Sequence, residues 1–152
     1  GLGNRSFKMY KFRSMHSNMS DATGSKLTER GDPRVTRIGA FIRRTSIDEI
    51  PQLFNVLNGT MSLVGPRPHA IQAKAGGSLY WEVEQRYWHR HSVKPGITGL
   101  AQVSGHRGNT FVEDDLRRRL NADLDYVAQW SIMIDLKILI KTIFVIRHSN
   151  AF

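Results

Sequence analysis

Residues 7–13, Phe7-Lys8-Met9-Tyr10-Lys11-Phe12-Arg13, alternate apolar and basic side chains for most of their length. A period of two predicts a short strand with one wet face. Residues 16–33 lose that rhythm and fill with Ser, Asn, Asp, Thr and Gly, which predicts a mobile loop. Asp32-Pro33-Arg34 ends the loop with turn chemistry. The period then lengthens. Ile50, Leu53, Phe54 and Leu57 recur at helical spacing, so a helix with one apolar stripe is predicted over about 47–57. Ser46 with Glu49 three residues later forms a capping-box pattern. Pro51 strains the first turn in that register, and a cap at Asp48 is the alternative. Gly59 closes the helix.

Pro66, Pro68, Gly76 and Gly77 interrupt the middle of the chain. Residues 79–90 predict a short helix rich in Trp and Tyr. Residues 93–103, Val-Lys-Pro-Gly-Ile-Thr-Gly-Leu-Ala-Gln-Val, predict a tight turn running into a strand. A helix over 112–129 places Leu116, Leu120, Leu124 and Val127 on one face. Residues 131–146 are strongly apolar but shorter than the roughly 20 residues of a bilayer span, and Asp135, Lys137 and Lys141 interrupt them. On a helical wheel Lys137 and Lys141 share a face nearly opposite Asp135. A core helix and a helix lying on a membrane surface fit this pattern equally well.

With 152 residues, 40% hydrophobic and 23% charged, the chain is long enough for one globular domain with its own core. We expect a single α+β domain over 1–152, mainly helical with a small antiparallel sheet. The absence of cysteine excludes a disulfide framework, a thiolate zinc site and a cysteine nucleophile. Lys and Arg number 22 against 13 Asp and Glu, a net charge of +9. That balance favours polyanionic partners: nucleic acid, nucleotide phosphates or an anionic membrane surface. No Walker loop, dinucleotide-binding glycine fingerprint, zinc spacing or G-x-S-x-G elbow is present. The chain starts at Gly1 without a signal peptide, so it reads as part of something longer.

The chemistry concentrates at Arg43-Arg44-Thr45-Ser46-Ile47-Asp48-Glu49 and at Ser62-Leu63-Val64-Gly65-Pro66-Arg67-Pro68. Acidic residues favour a helix N-terminus for structural reasons alone, by about 0.3–1 kcal/mol. The same dipole keeps Asp48 ionised and nucleophilic and draws phosphate to the spot. Arginines hold phosphate oxygens in a two-pronged fork. Arg67, between two prolines, costs little entropy to hold still. Residues 32–39 read as a turn and helix start or as a basic lobe of the same site. His89 and His91 lack further metal ligands and read as surface or packing residues. Trp81, Tyr87 and Trp88 suit a core, a nucleobase stack or a membrane interface.

Four runs in order carry a family likeness: Lys11-Phe12-Arg13-Ser14-Met15, Asp48-Glu49-Ile50-Pro51-Gln52-Leu53-Phe54-Asn55-Val56-Leu57, Met61-Ser62-Leu63-Val64-Gly65-Pro66-Arg67-Pro68, and Lys94-Pro95-Gly96-Ile97-Thr98-Gly99-Leu100-Ala101-Gln102-Val103. They resemble the bacterial sugar transferases, the monotopic polyprenyl-phosphate phosphoglycosyl transferases, over nearly the whole chain. Trp130-Ser131, Asp135-Leu136-Lys137-Ile138 and the ending Asn150-Ala151-Phe152 are most similar to the undecaprenyl-phosphate glucose phosphotransferases of exopolysaccharide and capsule assembly.

The resemblance implies transfer of a sugar-1-phosphate from a UDP-sugar to undecaprenyl phosphate, releasing UMP. It implies that Asp48 is the nucleophile of a covalent phosphosugar intermediate and Glu49 its partner. It also implies that Mg²⁺ assists at Asp48 and Glu49, and that Arg43, Arg67, Arg13 and Lys11 hold phosphate. The expected setting is the cytoplasmic face of the bacterial inner membrane, with no nucleic-acid partner. Family members carry a hydrophobic re-entrant helix before the Lys-Phe-Arg-Ser-Met motif, which is missing from this chain. Leu100 stands where tryptophan is common, and Ile47 and Ile50 where leucine is. The rival reading is a non-catalytic basic module that binds nucleic acid or an anionic membrane surface.

Overall fold

The computed structural model describes residues 1–19, 28–29, 31–106 and 108–147. The loop expected over 16–33 therefore falls largely outside the described residues. Six α-helices are described: α1 (Arg37–Arg44), α2 (Gln52–Leu57), α3 (Tyr80–Val83), α4 (Leu100–Val103), α5 (Glu113–Gln129) and α6 (Ile132–Arg147). Short strands are β1 (Ser62–Val64), β2 (Lys74–Ala75), β3 (Ser78–Leu79) and β4 (Gly96–Thr98). The mainly helical α+β reading holds.

The sheet is only partly the one expected. β2 and β3 form an antiparallel hairpin, but β1 and β4 pair in parallel, with Ser62 opposite Gly96 and Val64 opposite Thr98. A parallel pair needs a long crossover, and residues 65–95 supply it. This pair brings two of the motifs together. A Cβ on Gly65 would lie 2.4 Å from Lys94 O, and one on Gly99 would lie 2.3 Å from Gly65 O. Only glycine lets these backbones touch.

The strand expected over 7–13 joins no ladder among the described residues. Its backbone is satisfied by a side chain instead. Asn55 accepts from Tyr10 N at 3.0 Å and donates from Nδ2 to Lys8 O at 2.8 Å. Phe12 N then donates to Asp48 O at 3.0 Å, which places Lys11 beside the acidic pair. Further on, Ser14 O accepts from Thr36 N at 3.0 Å, and Gly39 allows this close approach because a Cβ there would sit 1.9 Å from Ser14 O.

The helix expected over 47–57 is two pieces. Ile47–Glu49 is one 3₁₀ turn, and the α-helix starts only at Gln52 behind Pro51. Proline fits a helix start, where its missing N–H has no carbonyl to meet. The capping box does not form, because Ser46 sits in the left-handed region (φ 57°) and makes no side-chain cap. Residues 79–90 likewise split into α3 and a 3₁₀ stretch Gln85–Ser92, broken at extended Glu84. The strand expected to run to 103 stops at Thr98, and α4 follows.

Two apolar clusters hold the domain. One packs Tyr80, Tyr87, Leu116 and Leu120 with the β2–β3 hairpin. The other joins Val64, Tyr126 and Ile138, so α5 and α6 close over the parallel pair. Asp135 is part of that joint. Tyr126 donates its hydroxyl to Asp135 Oδ1 at 2.8 Å. α2 is inverted: Gln52 and Asn55 are 1% exposed, while the stripe Ile50, Leu53, Phe54 and Leu57 faces outward, Leu57 at 83%.

Candidate active site

The turn between α1 and the Ile47–Glu49 segment creates the site. Thr36 caps α1, its Oγ1 accepting from Gly39 N at 2.8 Å. Eight residues later the helix ends on Arg43 and Arg44, basic side chains in the last turn, where the macrodipole favours them. Left-handed Ser46 then reverses the chain, so that Asp48 and Glu49 come back into the reach of Arg43's charge.

The two carboxylates stand in different environments. Arg67 holds Glu49 with both fork nitrogens, Nη1 on Oε2 at 3.1 Å and Nη2 on Oε1, and Lys11 Nζ donates to Oε1 at 3.1 Å. Burial pushes the Glu49 carboxyl up, but the Arg67 charge and hydrogen bonds and Lys11 outweigh it and bring the pKa down to about 2. Asp48 is 6% exposed, and among the described residues its carboxylate accepts no hydrogen bond. Among the described residues its one ion-pair partner is Lys11 Nζ, 3.8 Å from Oδ2. Burial therefore raises its pKa, with Glu49 adding to the rise, while Lys11, Arg43 and Arg67 oppose it. One acid is committed to its neighbours and the other is left underused.

Both acids line a cavity of about 360 Å³ with Lys11, Arg43, Arg67 and Ser46. Across it stand Gln102 of α4, then His106, Asn109 and Phe111 of the following loop, and Arg119 of α5. Of the residues singled out in the sequence, the fold brings Lys11, Arg43, Asp48, Glu49 and Arg67 together. Arg13 is exposed and does not line the cavity.

Sequence reasoning missed Arg119. It is 8% exposed, and its Nε and Nη2 reach only carbonyls, His106 O at 3.3 Å and Gly108 O at 2.7 Å. Among the described residues no carboxylate lies within ion-pair distance of it. Sequence reasoning also missed Arg90. That guanidinium lies against Asp123 at 2.7 Å and donates to Arg67 O at 2.6 Å and to His69 Nδ1 at 2.6 Å. It fixes the backbone of the Pro-Arg-Pro loop from behind. Each of the two is one arginine among several in a basic stretch, and nothing in the sequence singles it out.

A family profile described as bacterial sugar transferase matches residues 1–149. The chain is 58% identical over 143 residues to an undecaprenyl-phosphate glucose phosphotransferase of Komagataeibacter xylinus, a match covering 94% of this chain and 27% of that protein. It is 50% identical to the exopolysaccharide production protein PSS of Rhizobium leguminosarum bv. phaseoli, covering 94% of this chain and 72% of the relative. It is 46% identical to the UDP-glucose:undecaprenyl-phosphate glucose-1-phosphate transferase of Escherichia coli (strain K12), covering 95% of this chain and 30% of the relative. The chain thus spans less than a third of the first and third of these relatives.

Proposed function

The chain belongs to the bacterial sugar transferase family, and on that premise we propose that it carries the catalytic site for moving a sugar-1-phosphate from a UDP-sugar to undecaprenyl phosphate, leaving UMP. The observation that carries this reading is Asp48: a buried carboxylate that accepts no hydrogen bond from the described residues, opening onto a cavity walled by cations. A carboxylate stripped of solvent and donors keeps its lone pairs for an electrophile.

In the first step an Asp48 oxygen bonds to the β-phosphorus of the donor. The bond from that phosphorus to the bridging oxygen breaks, and its electron pair leaves on UMP. In the second step a phosphate oxygen of the acceptor bonds to the same phosphorus. The Asp48 oxygen–phosphorus bond then breaks, and its electron pair returns to the carboxylate. Attack of one anion on another is slow in water, and Lys11, Arg43, Arg67 and Arg119 offset the charge that opposes it. Glu49 positions Arg67 and Lys11 rather than attacking.

The donor set fits Mg²⁺ in part. One or two carboxylates with substrate phosphates and water make an ordinary magnesium shell. Asp48 is available, whereas both Glu49 oxygens are engaged by Arg67 and Lys11. Mg²⁺ would rest on Asp48, joined by Glu49 on its release, and would supply further neutralisation of the phosphoryl oxygens.

A membrane surface is the matching setting. No described helix is long and apolar enough to cross a bilayer. Yet Phe54 and Leu57 of α2 and Ile140, Ile143 and Phe144 of α6 are exposed, and the exposed Lys137 and Lys141 suit lipid phosphates. We place the domain on the cytoplasmic face of the bacterial inner membrane, where UDP-sugars are made.

The test is UMP release by the full-length protein in membranes with Mg²⁺, undecaprenyl phosphate and UDP-glucose or UDP-galactose. The expected result is lipid-dependent release that Asp48→Asn abolishes. Release that survives in this variant would overturn the covalent assignment.

A further inference from the structure

Two hollows meet at Glu49. Beside the polar cavity lies a groove of about 200 Å³ between α2 and α6, lined by Ile50, Leu53, Ile97, Val103 and Val145. Ser46, Glu49 and Gln102 line both. The groove offers few polar groups. The Thr142 hydroxyl at its wall donates to Ile138 O at 2.8 Å and lies 2.7 Å from Thr98 Oγ1, so its hydrogen-bonding capacity is spent on protein. The change of character is abrupt: aliphatic side chains on one side of Glu49, four cationic ones on the other.

The two substrates of the proposed reaction divide in the same way. A nucleotide sugar is polar along its whole length and gains nothing from an aliphatic trough. A polyprenyl phosphate joins an apolar chain to an anionic head, which is the polarity sequence of groove and cavity. The groove's walls also continue into exposed apolar surface, Phe54 and Leu57 on the α2 side and Ile143 and Phe144 on the α6 side.

We propose that the first isoprenoid units of the acceptor lie in the groove between α2 and α6, and that its phosphate thereby reaches the space UMP vacates beside Asp48. The inference rests on the sugar-phosphate transfer reading above. Donor and acceptor share the phosphate position in turn, but the nucleotide has its seat towards His106, Asn109 and Phe111, and the lipid has its seat between the helices. Burial of hydrocarbon in this groove is what commits the second step to a lipid phosphate instead of water.

The test uses the full-length protein in membranes, with Leu53→Glu and Val145→Trp, one charging the groove and one filling it. Both line it and neither belongs to the buried clusters. Two readouts separate the half-reactions: the KM for undecaprenyl phosphate in complete turnover, and exchange of labelled UMP into UDP-sugar, which needs no acceptor. The expected result is an acceptor KM raised roughly tenfold or more, with exchange within about twofold of the parent. An unchanged acceptor KM in both variants would overturn the proposal. So would equal loss of exchange and turnover, which would make the groove a support of the acidic pair. A photo-crosslinker at Leu53 identifies the occupant: capture of the lipid supports the proposal, and capture of another segment of the same protein overturns it. Absence of exchange in the parent would instead bring down the transfer reading itself.

Discussion

Arg67 and Glu49 meet fork to fork, with Nη1 on Oε2 at 3.1 Å and Nη2 on Oε1, at the edge of the same cavity that Asp48 opens onto. A planar guanidinium satisfies both oxygens at once, and a lysine cannot. We expect Arg67→Lys to keep the charge but lose the geometry. It should cost roughly 1–3 kcal/mol of stability and lower turnover by more than tenfold. Thermal unfolding and UMP release, measured on the same preparation, check both parts.

Asp48→Asn should separate stability from activity. The carboxylate is buried and accepts no hydrogen bond from the described residues; burial raises its folded-state pKa, so ionising it at neutral pH works against the fold. An amide of the same shape removes that cost. Turnover should vanish while the unfolding midpoint stays level or rises. A clear fall in the midpoint would show that Asp48 holds structure together.

The pH dependence of stability has opposite signs at the two acids. Glu49 is depressed to about 2, so its contribution, roughly 3 kcal/mol from the size of the shift, is present above its unfolded value of 4.5 and lost as pH falls towards 2. Asp48 is raised, so its contribution is present below 3.8 and lost as pH rises through its folded value. We expect Glu49→Gln to be less stable than the parent at neutral pH and to converge with it between about pH 4.5 and 2. Denaturant titrations across that range decide the matter. A gap that does not close at low pH would place the stabilisation elsewhere.

Asp123 and Arg90 form an ion pair, both side chains at most 3% exposed. Removing one partner leaves a buried charge alone. Asp123→Ala should destabilise by roughly 3–5 kcal/mol. Because Arg90 also holds Arg67 O, the milder Arg90→Lys should raise donor KM with a smaller loss of stability. Chemical denaturation and donor kinetics measure the two effects separately.

Ser46 has φ 57°, a conformation that costs an L-residue about 1–2 kcal/mol and glycine very little. Ser46→Val should therefore be less stable than Ser46→Gly by roughly that amount. Equal midpoints for the two variants would mean that the turn relaxes without strain.

Much of this was legible in the chain. Asp48, Glu49, Arg43, Arg67 and Lys11 stand close to one another because three short motifs carry them, and α5 and α6 follow from long periodic runs. What pattern misread was α2. Ile50, Leu53, Phe54 and Leu57 mark a helix correctly, but periodicity reports that one face differs from the other, not which one is buried. Here Asn55 went inside because the backbone of residues 8–10, paired in no ladder, needed amide partners, an acceptor for Tyr10 N and a donor for Lys8 O. Arg90, Arg119 and Asp123 were invisible for another reason: their roles exist only once residues far apart in sequence meet.

The parallel pair of β1 and β4 also governs timing. Val64 finds Thr98 only after some 30 intervening residues have been made, and closing such a loop is the slow, entropy-limited part of folding. On the ribosome, the acidic turn emerges well before the strand that anchors its arginine. Until β4 arrives, Gly65 has no Gly96 or Gly99 to pack against, and the proposed nucleophile has no assembled site. The acidic turn and the Arg67 loop should therefore come together late and in one step.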